Sequence, residues 1–95
     1  MNSNLRIAQT TDNDIVTLTP TGELDEASCP ELERCLAGHC RPGARIVLDL
    51  RALNFMDAAG VELLRRTSVR SALEGWAFVV RTTGGRYLSR RARAA

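Results

Sequence analysis

The sequence has no lysine, since all 13 of its basic residues are arginine. So uniform a bias points to genome composition rather than to recognition chemistry. Aromatic side chains are nearly as scarce, with Phe55, Trp76, Phe78 and Tyr87 the whole supply. Beside the arginines at 86, 90, 91 and 93 only Tyr87 is available to stack a base, and a net charge of +2 is too small to argue for DNA. No nucleic-acid partner is therefore expected. No apolar run approaches the ~20 residues of a membrane span, and the opening "MNSNLRIAQTTDND" lacks the charged-then-apolar layout of a secretory signal. The expectation is a cytoplasmic protein without direct membrane insertion. Three cysteines, an odd number without the density of a disulfide scaffold, agree with a reducing compartment.

Cysteine chemistry is equally thin. Cys29, Cys35, His39 and Cys40 crowd one segment, but their spacing matches no closed site built from two short ligand pairs, so no metal is expected. A nucleophilic cysteine wants a distant histidine and an orienting acid. The only histidine is Cys40's neighbour, which is poor geometry for catalysis. "TTGGR" at 82–86 would expose backbone N–H groups but lacks the lysine and spacing of a phosphate loop, and reads as a plain turn. Neither a Cys/His enzyme nor a cofactor is expected from these residues.

What the chain does have is enough apolar content, 44% of 95 residues, for one core. A single domain spanning 1–95 is expected, its core at about 5–81 and the remainder a short basic tail or helix. Charge is divided along the chain. Residues 1–40 carry two arginines against seven acids, and residues 41–95 eleven against four, which predicts one acidic and one basic face.

The elements can be read in order. "LRIAQT" and "IVTLTPTG" flank the turn-forming "TDND" and predict a hairpin, with Val16 and Leu18 on one face and Ile15, Thr17 and Thr19 on the other. "SCPE" has the form of a capping box, with Ser28 as N-cap, Pro30 in the first turn and Glu31 to answer. Leu32, Cys35, Leu36 and His39 then mark one helical face. "RIVLDL" is a nearly continuous apolar run, the pattern of a strand covered on both sides, with Asp49 near its carboxyl rim.

After it comes "NFMDAAG". Asp57 is placed to cap a helix running to about Leu73 with Gly75 as its stop, and Met56 and Val61 sit at the two positions of a hydrophobic staple. "WAFVV" is a fourth strand, and the helical crossover makes it parallel to the third.

Taken together, "GELD" at 22–25, "IVLDL" at 46–50 and "FMDAAGVELL" at 55–64 resemble, in order and spacing across about residues 5–81, a STAS domain of the anti-sigma-factor antagonist type. The resemblance implies an α/β domain, a mixed sheet of about four strands with helices packed on it. It also implies a partner-binding module rather than an enzyme. Such antagonists bind an anti-sigma factor with a serine-kinase fold, which frees the sigma factor and so regulates transcription. The kinase then phosphorylates a serine in a turn like Asp-Ser-Ser-Gly. By position the acceptor falls on Ala59 and its serine neighbour on Ala58, and neither carries a hydroxyl. The turn keeps Asp57, Gly60 and small side chains, but the phosphoacceptor is lost. The expected partner surface is Asn54, Asp57, Ala58, Ala59, Gly60 and Val61. An alternative from another class is the STAS subunit of a bacterial lipid-transport ABC system. The family usually continues beyond the fourth strand with a helix, a strand and a final helix, for which this sequence has little room. The fourth strand's edge is thus expected to be open to pairing with a second copy of the chain.

Overall fold

The first hairpin of the structure, a computed structural model that describes residues 4–83 and 85–88, is closed by Asn13 and Asp14. Both have positive φ, 52° and 65°, the conformation a two-residue turn between twisted strands demands and these two residue types tolerate. The turn joins β1 (Leu5–Asp12) to β2 (Ile15–Leu24). There follow α1 (Cys29–Ala37), β3 (Arg45–Asp49), β4 (Leu53–Met56), α2 (Ala58–Glu74), β5 (Ala77–Thr82) and β6 (Gly85–Leu88). The fold is mixed α/β. Its sheet runs β1-β2-β3-β5-β6, with β4 pairing β2 off that path.

The core follows from register. β2, β3 and β5 are parallel, and their pairing aligns Leu18 with Leu48 and Val80, and Val16 with Ile46 and Phe78. Leu18 and Leu48 are 0% exposed and Val80 1%. Leu32 and Leu36 of α1 and Leu63 and Leu64 of α2 join them in one cluster, so both helices lie on this face. Trp76 closes one end, packed edge-to-face on Phe78 with ring centroids 5.9 Å apart.

Five sequence expectations change. The sheet has six strands rather than about four, because β4 and β6 are additional. β3 is covered on one face only: Val47 points away from the helices and stays half-buried, since both helices share the opposite side. Part of the expected tail, 85–88, is a strand antiparallel to β5, while 89–95 lie outside the described residues. β6 takes the edge of β5 (the expected fourth strand) over Val79–Thr82, which closes that stretch to a homo-oligomer formed by edge pairing.

The fifth change is at Ser28. Its side chain makes no cap hydrogen bond to α1. Fully buried, it turns backwards: Oγ accepts from the Asp25 amide at 2.9 Å and donates towards the Glu23 carbonyl at 2.8 Å. Asp25 answers by accepting the Ser28 amide on Oδ1 at 3.0 Å. A buried hydroxyl bonds to whatever polar groups are buried with it, and here those belong to the β2–α1 loop.

Candidate functional site

β2 is ten residues long and, besides β1, pairs with two partners in succession, β3 along its first half and β4 along its second, with a register shift between Gly22 and Glu23. β4 therefore delivers Asn54, Phe55 and Met56 to the carboxyl end of the parallel strands, directly ahead of α2. Asp57 follows in extended backbone (φ −97°, ψ −172°), its amide donating to the Leu24 carbonyl at 3.1 Å. Its Oδ1 accepts from the amides of Ala59 at 2.9 Å and Gly60 at 3.1 Å, the cap the sequence predicts. Oδ2 accepts the Glu26 amide at 3.3 Å and so ties the loop before α1 to the start of α2. Nothing in the sequence signals that bond, because it joins residues 31 positions apart. At its far end α2 stops as expected, with Gly75 at φ 82° donating its amide to Ser71.

Gly60 is buried against its own chain. A Cβ there would stand 2.6 Å from Met56 Cγ and 3.1 Å from the Leu24 carbonyl oxygen, so the glycine seats α2 on β2. Around it the side chains are small: Asn54 and Ala58 are exposed and Ala59 half-buried. Phe55 and Val61 are 52% and 55% exposed. Met56 packs on the core while Val61 leaves much of its surface in solvent. Phe55, absent from the residues expected in the site, is the largest side chain there. Its signal was an aromatic at an odd position of a four-residue strand, too short to show a buried face. A cavity of about 230 Å³ between Leu50, Phe55 and Thr83 adjoins it.

Asp49 reaches the same rim, but its carboxylate is occupied. Arg51 grips it through Nε at 2.9 Å and Nη2 at 2.8 Å and adds its backbone amide at 3.1 Å. The Arg51 side chain's hydrogen bonds hold the Asp49 carboxyl below its usual range. The cysteine segment disperses. Cys29 is buried, Cys40 donates its thiol to the Leu36 carbonyl, and His39 leaves the helix to meet Gln9 Oε1 at 3.1 Å. Burial pushes the Cys29 and Cys40 thiols up, which keeps them protonated near neutrality. No group of three potential metal ligands converges among the described residues, and no described helix is long and apolar enough to cross a membrane.

A strand, a capped helix start at the carboxyl rim and an apolar surface of small side chains thus meet at the turn singled out by sequence. The family model described as STAS domain matches residues 6–90. The chain belongs to the STAS domain family. Among solved structures, this STAS domain is similar to an anti-sigma factor antagonist from Mycobacterium paratuberculosis, with 22% identity, a TM-score of 0.62, and 81% of this chain and 68% of that one covered. At that identity the likeness is one of fold. A protein with a SpoIIAA-like fold from Shewanella loihica PV-4 aligns over 85% of this chain and 73% of its own at 20% identity, with a TM-score of 0.48, too low to carry more. No curated protein matches the chain significantly.

Proposed function

We propose that this STAS domain is a non-catalytic protein-binding module of the anti-sigma-factor antagonist type. Its partner is an anti-sigma factor with a serine-kinase fold, met at the turn of residues 54–61, and phosphorylation at that turn does not switch it. The observation that carries the reading is the pairing of a rigid, capped helix start with two exposed apolar side chains, Phe55 and Val61, around two exposed or half-buried alanines. Small residues let a partner approach the backbone, and the flanking apolar groups supply the area that leaves water.

Gly60 and Asp57 are poor test positions, because one is packed against Met56 and the other caps α2. Val61→Asp is cleaner. An acid in the first turn of a helix is favoured by the helix dipole, so the fold is not weakened. Titrating the anti-sigma factor by calorimetry, we expect Val61→Asp and Phe55→Asp each to weaken binding by at least tenfold, ~1.4 kcal/mol. Parental affinity in both variants would place the interface elsewhere.

Kinase control has its own test. Phosphoryl transfer depends almost wholly on positioning an acceptor oxygen at the γ-phosphate. The next hydroxyls along α2 start at Thr67, eight residues or about 12 Å of helix beyond Ala59. Thr67 and Ser71 are buried, donating to the Leu63 and Ser68 carbonyls at 2.8 Å. Incubated with the partner kinase and ATP, the protein is expected to gain no phosphate, and Ala59→Ser to gain one. Mass spectrometry reads both. A phosphate on the parent protein would mean that control has moved to another residue.

A further inference from the structure

A larger cavity than the one beside Phe55 lies away from the turn. It is an open groove of about 560 Å³ between α1 and α2, floored by Leu36, Leu63 and Trp76. Its rim carries Arg34 from α1 and Arg66 and Arg70 from α2, against Glu33 alone among the lining acids. We infer that this groove is a second docking site, for an acidic segment of a protein partner that inserts one bulky apolar side chain between flanking carboxylates.

The inference rests on charge and spacing. Arg66 and Arg70 are one helical turn apart, which sets their Cβ atoms about 5–6 Å from each other on the same wall. Carboxylates on adjacent turns of a partner helix repeat at that distance. The guanidinium fork accepts a carboxylate by two parallel hydrogen bonds, a geometry a lone ammonium does not offer. Displacing the present partners costs little. Arg66 meets Glu33 at 3.0 Å and Arg70 meets Glu74 at 3.0 Å, and all four side chains are more than 40% exposed. Exposed pairs of this kind contribute only about 0–1 kcal/mol. Arg34 makes no ion pair among the described residues. The open shape suits a segment laid along the groove, the mode in which a helix presents its apolar face between two others. On α2 the groove runs from Leu63 to Arg70, about 8 to 18 Å along the axis from Ala58, so its arginines lie beyond the turn.

The chain's only tryptophan, Trp76, lies in the groove floor and serves as the reporter. The probe is a synthetic helical peptide with one central leucine and glutamates four residues apart on either side, compared with the same peptide carrying glutamine. Saturable change in Trp76 fluorescence is expected with the glutamate peptide, and at least tenfold weaker binding with the glutamine one. Arg34→Glu, at an exposed and unpaired position, should weaken the glutamate peptide at least tenfold with an unchanged circular dichroism spectrum. Val61→Asp should leave its affinity as it was, which separates this groove from the turn. The bound peptide should also slow alkylation of Cys40, which lines the groove. Equal affinity for the two peptides, an unaffected Arg34→Glu variant, or no saturable response at millimolar peptide would each overturn the proposal. A response to dodecanoate but not to the peptide would overturn it too, and give the groove to a small anionic amphiphile.

Discussion

Gly22→Ala is expected to destabilise the fold by about 3–5 kcal/mol, because strain at a positive φ and overpacking each cost of order 1–3 kcal/mol and coincide here. Gly22 has φ 101°, and a Cβ at that position would overlap the Asn4 carbonyl. That contact is backbone, so no side-chain rotation relieves it. The same carbonyl accepts the Glu23 amide at 3.1 Å, so relief means pulling the start of β1 from β2. Gly75→Ala separates the two effects. Gly75 has nearly the same left-handed φ, 82°, but nothing lies within 4 Å of its would-be Cβ, and its cost should be near 1 kcal/mol. Thermal unfolding distinguishes them, at about 4 to 8 °C of Tm for each kcal/mol in a domain of this size. Equal losses in the two variants would show that β1 yields freely at its first residues.

Leu48→Ala is expected to cost about 3–5 kcal/mol, a large part of the 5–15 kcal/mol that a whole domain commands. Leu48 is 0% exposed at the middle of the central strand, with Leu18 and Val80 beside it in register. Side chains held on a hydrogen-bonded sheet cannot collapse into the space left, so most of the cavity term survives. Val47→Ala, one residue away on the half-buried face, should cost far less. Urea unfolding of both variants tests whether the two faces of β3 differ as the structure describes. Similar losses would mean that the outer face is covered as well.

Those two faces show where the sequence misleads. "RIVLDL" reads as covered on both sides because Val47 is as apolar as its neighbours, and composition does not say on which side the helices lie. The Asp57 cap and the Gly75 stop were legible because each is settled within one helical turn by a single residue type. The hairpin turn was legible for the same reason. β4 was not, since four residues with a mixed pattern become a strand only by meeting the far half of β2. β6 likewise depends on an edge that exists only after β5 is placed. Ser28 has the spacing of a cap, yet its burial redirects the hydroxyl to the loop behind it. At the candidate site the local parts, Asp57, the two alanines and Gly60, could be read directly. Phe55 and the link from Asp57 to Glu26 could not, because both depend on which segments the sheet brings side by side.

That link bears on how any partner of the turn would be held. One carboxylate accepts from three amides, those of Ala59, Gly60 and Glu26, so the start of α2 and the loop leading into α1 are tied together before anything arrives. Preorganisation of this kind removes most of the loop-ordering entropy that association otherwise costs. Encounter with such a surface needs no rearrangement. If partners bind at this turn as proposed, differences in their affinity would fall mainly on how slowly each one leaves.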